Sequence, residues 1–262
     1  MNRVRLDSLL SQRGLFPSRA RAAASVLAGD VLLLPHRRRA EKPGQLVRDD
    51  IEVEVLGAPA FVSRGGIKLA NALDALAVPV PGRRALDVGA STGGFTDCLL
   101  QRGAAHVVAV DVAYGELDWR LRTEARVTVI ERTNARALRP EGLPYAPDLI
   151  AVDVSFISLT KLFPAVLSCA ADRFDCLALI KPQFEVGRGQ VGKGGVVRDP
   201  AARRRALVQV GEAARELGVA VLAYASSGLP GPKGNLETFI WLAEAGRDGL
   251  GDLERAAVEV EP

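Results

Sequence analysis

Long apolar runs, secretory features and paired cysteines are all missing from this sequence of 262 residues. No apolar stretch reaches the roughly 18 residues that a membrane-spanning helix needs. The opening residues, MNRVRLD, contain no apolar segment of the type found in signal peptides. Cys98, Cys169 and Cys176 lack the spacing of metal ligands or of a disulfide framework. We therefore expect reduced, packed thiols in a cytoplasmic protein that neither enters a membrane nor uses a metal.

Charge is distributed unevenly along the chain. The formal net charge is only +3, yet residues 1–48 hold 10 Lys and Arg against 3 Asp and Glu. A basic segment at one end of a mildly acidic chain indicates an anionic partner, most often a nucleic acid. The alternative is a solvated basic face that has no partner.

Residues 1–59 have the pattern of a small α+β module. The stretches RVRLDSLLSQRG and SRARAAASVLAGD each predict a short helix with one apolar face. A strand over residues 31–34, a basic loop over 35–43 and an alternating strand over 50–55 follow.

The same stretches, together with KPGQLVRDDIEVEV, resemble the S4 RNA-binding domain. The resemblance implies that the anionic partner is RNA, and arginine side chains are the natural contacts for its phosphates. The candidate RNA-binding residues are Arg3, Arg5, Arg19, Arg21, Arg37, Arg38, Arg39 and, just beyond the module, Arg64.

Strands alternate with helices beyond a predicted linker at residues 60–66. Residues 67–248 are predicted to be one α/β domain, and residues 249–262 a flexible tail. Such alternation indicates a mostly parallel sheet with helices on both faces. Strands are expected at residues 84–89, 106–112, 126–131, 148–154, 176–181, 219–225 and 237–243.

The stretch RALDVGASTGGFTD has the pattern of a ligand-binding turn between a strand and a helix. Its glycine spacing, G-x-x-x-G-G, differs from the G-x-G-x-x-G of dinucleotide sites, which disfavours NAD. Asp111 ends the second strand, where a carboxylate can accept hydrogen bonds from ribose hydroxyls.

Together DVGASTGGFTD and VAVDV resemble the cofactor site of methyltransferases that use S-adenosylmethionine (SAM) and have a seven-stranded Rossmann-like fold. SAM has no phosphates, which agrees with a turn that lacks a phosphate-binding lysine. The resemblance implies a set of cofactor-binding residues: Asp87, Gly89, Ser91, Gly93, Gly94, Asp111, Asn134 and Asp153.

A second glycine-rich stretch, GRGQVGKGG at residues 187–195, has the G-x-x-x-x-G-K spacing of a phosphate-binding loop. The next residue after Lys193 is Gly194, where such loops have a Ser or Thr that binds magnesium. The stretch therefore does not indicate an NTPase.

Four charged residues lie where the local pattern would not place them. Lys68 is in the helix that precedes the first strand of the larger domain, Asp153 and Lys181 close apolar strands, and Glu237 opens the last strand. Ligands of open α/β sheets bind at the carboxyl ends of the parallel strands. An antiparallel last strand, as in the SAM-methyltransferase fold, would bring Glu237 to that same edge.

The motifs VSRGGIKL, DVSFISL, LIKPQFE and GNLETF resemble, in this order, those of the FtsJ-like RNA ribose 2′-O-methyltransferases. With the S4-like module they resemble the TlyA family, also labelled haemolysin A, over about residues 3–245. The resemblance implies a catalytic tetrad of Lys68, Asp153, Lys181 and Glu237. It also implies cytidine 2′-O-methylation in 16S or 23S ribosomal RNA or both, by a monomer that binds rRNA or ribosomal subunits.

Methyl transfer to a ribose hydroxyl explains why the site would need charged residues. A ribose hydroxyl is a poor nucleophile that needs alignment with the methyl group and a proton acceptor. We expect Lys181 to lie nearest the hydroxyl, with Asp153 setting its position and charge. Three alternatives remain: a membrane-active cytolysin, a non-catalytic rRNA-binding assembly factor, and methylation of a base instead of a ribose.

Overall fold

The computed structural model describes residues 3–16, 18–57 and 60–261. They divide into two compact units, Met1–Ala60 and Phe61–Pro262. The predicted boundary after residue 59 falls beside residues 58 and 59, which lie outside the described residues.

The first unit packs two short helices against two small sheets. In chain order its elements are β1 (Arg3–Arg5), α1 (Leu6–Gln12), α2 (Arg19–Ala28), β2 (Val31–Leu33), β3 (Arg38–Arg39), β4 (Leu46–Arg48) and β5 (Val53–Val55). β1 pairs with β4, and β2 lies between β3 and β5, all antiparallel. Leu6, Leu10 and Val26 are at most 2% exposed and form the centre of the core.

Two details of this unit differ from the sequence-based prediction. Residues 3–5 are a strand and not the first turn of a helix, because Arg3 pairs with Arg48 more than 40 residues away. Arg38 and Arg39 lie in the stretch predicted as a loop but form the edge strand β3. The partner of β1 is distant in the chain, whereas β3 pairs with β2 only five to seven residues earlier, across a basic stretch without strand periodicity.

The second unit alternates strands with helices as predicted. Its elements are α3 (Arg64–Leu76), β6 (Arg84–Val88), α4 (Gly94–Gln101), β7 (His106–Val110), α5 (Trp119–Arg122), β8 (Val127–Ile130), β9 (Leu149–Val152), α6 (Phe163–Leu167), β10 (Asp175–Ile180), α7 (Pro182–Glu185), α8 (Pro200–Glu216), β11 (Ala220–Ser226), β12 (Thr238–Ala243) and α9 (Leu253–Val260). All seven predicted strands are present, with ends shifted by at most two residues. Short 3₁₀ helices cover Ala135–Ala137, Pro140–Gly142, Leu159–Lys161 and Arg188–Gln190.

These seven strands form one sheet in the order β11-β12-β10-β9-β6-β7-β8. The five strands from β10 to β8 are parallel, whereas β12 runs antiparallel to both of its neighbours. The start of β12 therefore lies beside the end of β10, where Thr238 pairs with Ile180. This arrangement confirms the predicted Rossmann-like fold with a reversed last strand.

Alternate side chains of each strand pack into two separate cores, one on each face of the sheet. Along β9, Ile150 and Val152 face the core formed with α6, α8 and α9, whereas Leu149 and Ala151 face the core formed with α3 and α4. Because both faces of the sheet are covered, successive side chains of a strand are all buried, and the sequence of the strand is a continuous apolar run.

The predicted linker and the predicted flexible tail are both wrong in part. α3 begins at Arg64, so residues 64–66 are helical. The last residues form α9, where Leu253 and Ala257 are buried four positions apart on one face. Glu261 accepts two hydrogen bonds from the Arg203 guanidinium, at 2.8 and 2.6 Å. The amphipathic spacing and this ion pair hold the segment against α8.

Candidate active site

The glycine-rich turn after β6 brings the main chain close to the end of β9. Gly89 has a φ of +87°, and a Cβ at this position would collide with the carbonyl oxygen of Asp153. Only glycine combines this left-handed conformation with so close an approach. The turn and Asp153 therefore form one continuous surface at the edge of the sheet where β6 and β9 end.

Two of the predicted cofactor residues, Asp87 and Gly93, are buried at this turn and contact other parts of the protein. Asp87 is fully buried, and its carboxylate accepts hydrogen bonds from the Thr96 side chain at 2.6 Å and the Thr96 amide at 2.9 Å. Burial, which disfavours the charged form, raises the pKa of Asp87 to about 7. Gly93 is buried too, and a Cβ there would collide with Leu121. Neither Asp87 nor Gly93 lines the cavities at this edge of the sheet, and their part in cofactor binding stays a prediction.

The other predicted cofactor residues line two adjoining cavities of about 470 and 1090 Å³. Gly89, Ser91 and Asp153 line both cavities. Gly94 lines only the smaller cavity, and Asp111 and Asn134 line only the larger one.

Backbone amides already hold two of these polar side chains in place. The Asp111 carboxylate accepts hydrogen bonds from the amides of Ser91 at 2.7 Å and Ala113 at 2.8 Å. The Asn134 side chain accepts a hydrogen bond from the Arg136 amide at 3.0 Å. Each carboxylate or amide oxygen keeps a lone pair for a ligand, because such an oxygen accepts two hydrogen bonds.

The four predicted tetrad residues form two ion pairs. Lys68 Nζ lies 2.5 Å from Glu237 Oε2, and Lys181 Nζ lies 2.6 Å from Asp153 Oδ1. The sheet order explains the convergence, since β9, β10 and β12 are neighbours and end or begin at one edge.

The two pairs differ in exposure. The side chains of Lys68 and Glu237 are 9% and 1% exposed, against 12% and 22% for Lys181 and Asp153. Lys68, Asp153 and Lys181 line the smaller cavity, whereas Glu237 is buried behind Lys68. Lys181 and Asp153 are thus the pair that a substrate could touch.

Several residues at this edge were not found from the sequence. Ser155 accepts a hydrogen bond from Lys181 Nζ at 3.0 Å. Phe156, with a φ of +66°, is 92% exposed and lines the larger cavity, and its ring lies 5.3 Å from that of Phe184. An exposed, strained aromatic residue beside a charged pair is a feature of functional loops. The aromatic in DVSFISL was the available signal.

A buried carboxylate joins the loop after β9 to the helix after β10. Glu185 accepts hydrogen bonds from Ser158 Oγ at 2.6 Å and from the Leu159 amide at 2.9 Å. Burial raises the pKa of Glu185. Its hydrogen bonds fix the loop that begins at Asp153 relative to the helix that begins after Lys181.

In the first unit, four of the seven arginines predicted to bind RNA already have an acidic partner. Arg5 and Arg19 both contact Asp7, at 2.7 and 3.2 Å, and the Arg5 hydrogen bonds hold the pKa of Asp7 at about 2. Arg37 pairs with Glu54 and Arg38 with Glu41. No acidic partner is present among the described residues for the remaining three, which are Arg3, Arg21 and Arg39.

Arg64, the eighth candidate, belongs to the second unit. It lies in the first turn of α3, lines the smaller cavity and donates a hydrogen bond to the carbonyl oxygen of Pro230 at 3.1 Å. The structure therefore places Arg64 beside Lys68 on the same helix, at the edge of the sheet where the tetrad lies.

The reversed last strand, the glycine-rich turn and the charged cluster at one sheet edge define a Rossmann-like methyltransferase. The sequence profile of the FtsJ-like methyltransferase family matches residues 61–244. The 16S/23S rRNA (cytidine-2′-O)-methyltransferase TlyA of Mycobacterium tuberculosis is 52% identical over 244 residues, 92% of this chain and 90% of that protein. The chain therefore belongs to the FtsJ-like methyltransferase family and, within it, to the TlyA group.

Two further relatives carry the name hemolysin. Hemolysin A of Brachyspira hyodysenteriae is 37% identical, covering 89% of this chain and 97% of that protein. A solved hemolysin-type structure from Streptococcus thermophilus matches with a TM-score of 0.76 at 36% identity, over 99% of this chain and 96% of that chain. Across the described residues, none of the helices combines the length and apolar character that crossing a membrane requires.

Proposed function

We propose that this protein transfers a methyl group from SAM to the ribose 2′-hydroxyl of cytidine in ribosomal RNA. The observation that carries the proposal is the pair of lysine–carboxylate contacts at the sheet edge, with Lys181 and Asp153 open to the cavity. The name of the M. tuberculosis relative supports cytidine and both rRNAs, while the relative from Campylobacter jejuni is named for 23S rRNA alone.

The residues along the cavities suit SAM as the methyl donor. The smaller cavity, at about 470 Å³, lies within the size range of small-molecule sites, and the two cavities together exceed that range. Asp111 would accept hydrogen bonds from the ribose hydroxyls, and Gly89 would let the methionine part approach the main chain. Asn134 would lie beside the adenine. When bound, SAM supplies an electrophilic methyl group on a sulfonium, whose positive charge is lost on transfer.

We assign to Lys181 the role of accepting the proton of the ribose hydroxyl. An amine accepts a proton only when it is neutral, and here the ammonium contacts Asp153 at 2.6 Å. RNA that covers the cavity would exclude water and favour the neutral amine–acid pair over the ion pair. Lys181 would then accept the proton from the hydroxyl as the methyl group is transferred. Ser155 and Asp153 hold the amine in position.

The larger cavity also has features that suit RNA. Phe156 presents an almost fully exposed ring on which a base can stack. Arg136 and Lys161 line the same cavity, and their side chains have no acidic partner among the residues described. In the first unit, we assign phosphate contacts to the arginines of the S4-like module.

The test is transfer of labelled methyl from SAM to ribosomal subunits isolated from a strain that lacks this enzyme. Nuclease digestion and mass spectrometry of the nucleosides should yield 2′-O-methylcytidine. Label on a cytosine base, or no label on either subunit, would contradict the proposal. Retention of haemolysis in a variant that has lost methylation would indicate a separate membrane activity.

A further inference from the structure

The glycine-rich segment at residues 187–198 has no part in the site described so far. It folds on itself through hydrogen bonds from the Gly192 amide to the Val196 carbonyl at 3.1 Å and from the Gly195 amide to Gly192 at 3.0 Å. No α-helix starts directly after Lys193; the next one, α8, begins seven residues further on, at Pro200. The segment therefore lacks the helix N-terminus of a nucleotide-binding phosphate loop.

A buried asparagine fastens this segment to the one that precedes β12. Asn235 is 2% exposed, and its side chain accepts a hydrogen bond from the Val197 amide at 2.9 Å and donates one to the Gly195 carbonyl at 2.8 Å. Its own carbonyl accepts a hydrogen bond from the Gly231 amide at 2.8 Å. The two segments are thus fixed as one surface.

That surface adjoins the tetrad. Gly231 packs against the Glu237 carboxylate so closely that a Cβ would collide with it. Pro230 and Pro232, on either side of Gly231, line the smaller cavity together with Lys181. A partner that lies across the surface would therefore extend to the catalytic pair.

Three exposed cations gather on this surface. Lys193 is in the segment itself; Lys233 Nζ lies 3.6 Å from the position of a Cβ at Gly195, and Arg198 Nη1 lies 3.9 Å from that of Gly192. Within the described parts of the chain, none of the three side chains has an ion pair or a hydrogen bond. We call Lys193, Arg198 and Lys233 the cation cluster.

Exposed arginines elsewhere in the same unit behave differently. Arg126 pairs with Glu124 at 3.1 Å, and Arg255 pairs with Glu259 at 3.0 Å. Arg136 and Lys161, which line the larger cavity, also have no acidic partner among the described residues, so paired and unpaired cations both occur on this unit's surface. A cluster of one sign beside a catalytic cleft creates a potential that attracts a partner of the opposite sign.

We propose that the cation cluster binds the phosphate backbone of the RNA strand that carries the target nucleotide. The inference rests on the proposed function, since it takes the substrate to be RNA. Lysine and arginine side chains are the usual phosphate contacts, and glycines without side chains let a backbone lie close to the protein. Asn235 is the positioning residue that holds the cluster beside Glu237.

The test compares the salt dependence of binding to unmethylated ribosomal subunits for wild type and the K193A/K233A double variant. The slope of log K against log salt is negative, and each lost phosphate contact reduces its magnitude by roughly 0.7 to 0.9. For the double variant we therefore expect a slope that is smaller in magnitude by about 1.5. At about 0.1 M salt this corresponds to a roughly 25-fold to 60-fold weaker affinity. SAM affinity and the rate at saturating subunits should not change.

Two matched variants make the result specific. R126A/R255A removes the same charge from paired arginines and should keep the wild-type slope, and K193R/K233R should restore it. An unchanged slope in K193A/K233A, or an equal loss in R126A/R255A, would overturn the inference while wild-type methylation still supports the proposed function. A wild type that neither binds nor methylates the subunits would overturn the proposed function itself.

Discussion

The buried Lys68–Glu237 pair allows a prediction with a magnitude. Glu237→Ala removes the carboxylate and leaves the ammonium of Lys68, whose side chain is 9% exposed, without its partner. At 2.5 Å and an effective dielectric constant near 20, the attraction lost is about 7 kcal/mol, part of which offsets desolvation of both groups. We expect the free energy of unfolding to fall by about 3 to 5 kcal/mol, as for other broken buried pairs.

Thermal unfolding followed by tryptophan fluorescence measures this loss. Trp119 and Trp241 are the only tryptophans, and both belong to the second unit. The expected loss lowers Tm by about 10 °C, at roughly 2 to 4 °C per kcal/mol. As a control, Glu259→Ala breaks an exposed pair and should change stability by less than about 1 kcal/mol.

The double variant K68M/E237L separates stability from function. It replaces both charges with apolar groups of similar size, so it should recover most of the stability and remain inactive. A stable Glu237→Ala variant would show that the ammonium is not left buried without a partner. A fully active double variant would show that the pair serves the fold alone.

Three further predictions follow from single residues. The pKa of Asp87 is about 7 in the folded protein, above its ordinary value near 4. Protonated Asp87 therefore contributes fully to the free energy of unfolding below about pH 4, and this contribution is lost as the pH rises to 7. Urea unfolding of Asp87→Asn should therefore show a stability gain over wild type that grows by about 1.4 kcal/mol per pH unit in that range; a constant difference would contradict this. Glu185→Ala should lower kcat/KM about tenfold or more, whereas Glu185→Gln, which still accepts from the Leu159 amide, should retain activity; equal activity of both variants would refute the assignment. Gly89→Ala should abolish SAM binding in calorimetry, because its Cβ would displace the Asp153 carbonyl, and normal affinity would contradict the geometry.

The sequence was most informative where strands are buried on both faces. Apolar runs that stop at Asp153 and Lys181 located β9, β10 and the ion pair at their ends, because a charge at the end of a buried strand has few structural explanations. The position of Glu237 needed more than local pattern. It depended on an antiparallel β12, which the family resemblance implied and the sheet order confirms.

Features that depend on distant partners were missed or misjudged. Asp87 was predicted to bind the cofactor, but its local pattern did not show that its carboxylate is fully buried and accepts hydrogen bonds from Thr96. Glu185 ends the motif LIKPQFE, but the pattern did not show its structural role, since its partners lie 26 and 27 residues away in the chain. The segment after residue 249 was predicted to be a flexible tail, although its apolar spacing suits the helix α9 that packs there.

The central claim is that Lys181 accepts the proton of the ribose hydroxyl. The most direct test is the single-turnover rate of methyl transfer to ribosomal subunits by Lys181→Arg and Lys181→Ala, with SAM affinity measured in parallel. Lys181→Arg can keep the contact with Asp153 but stays protonated, and Lys181→Ala has no amine. Because neither side chain can accept the proton, both variants should bind SAM normally and react about 10² to 10⁴ times more slowly. A Lys181→Arg variant with near wild-type rate would contradict the claim.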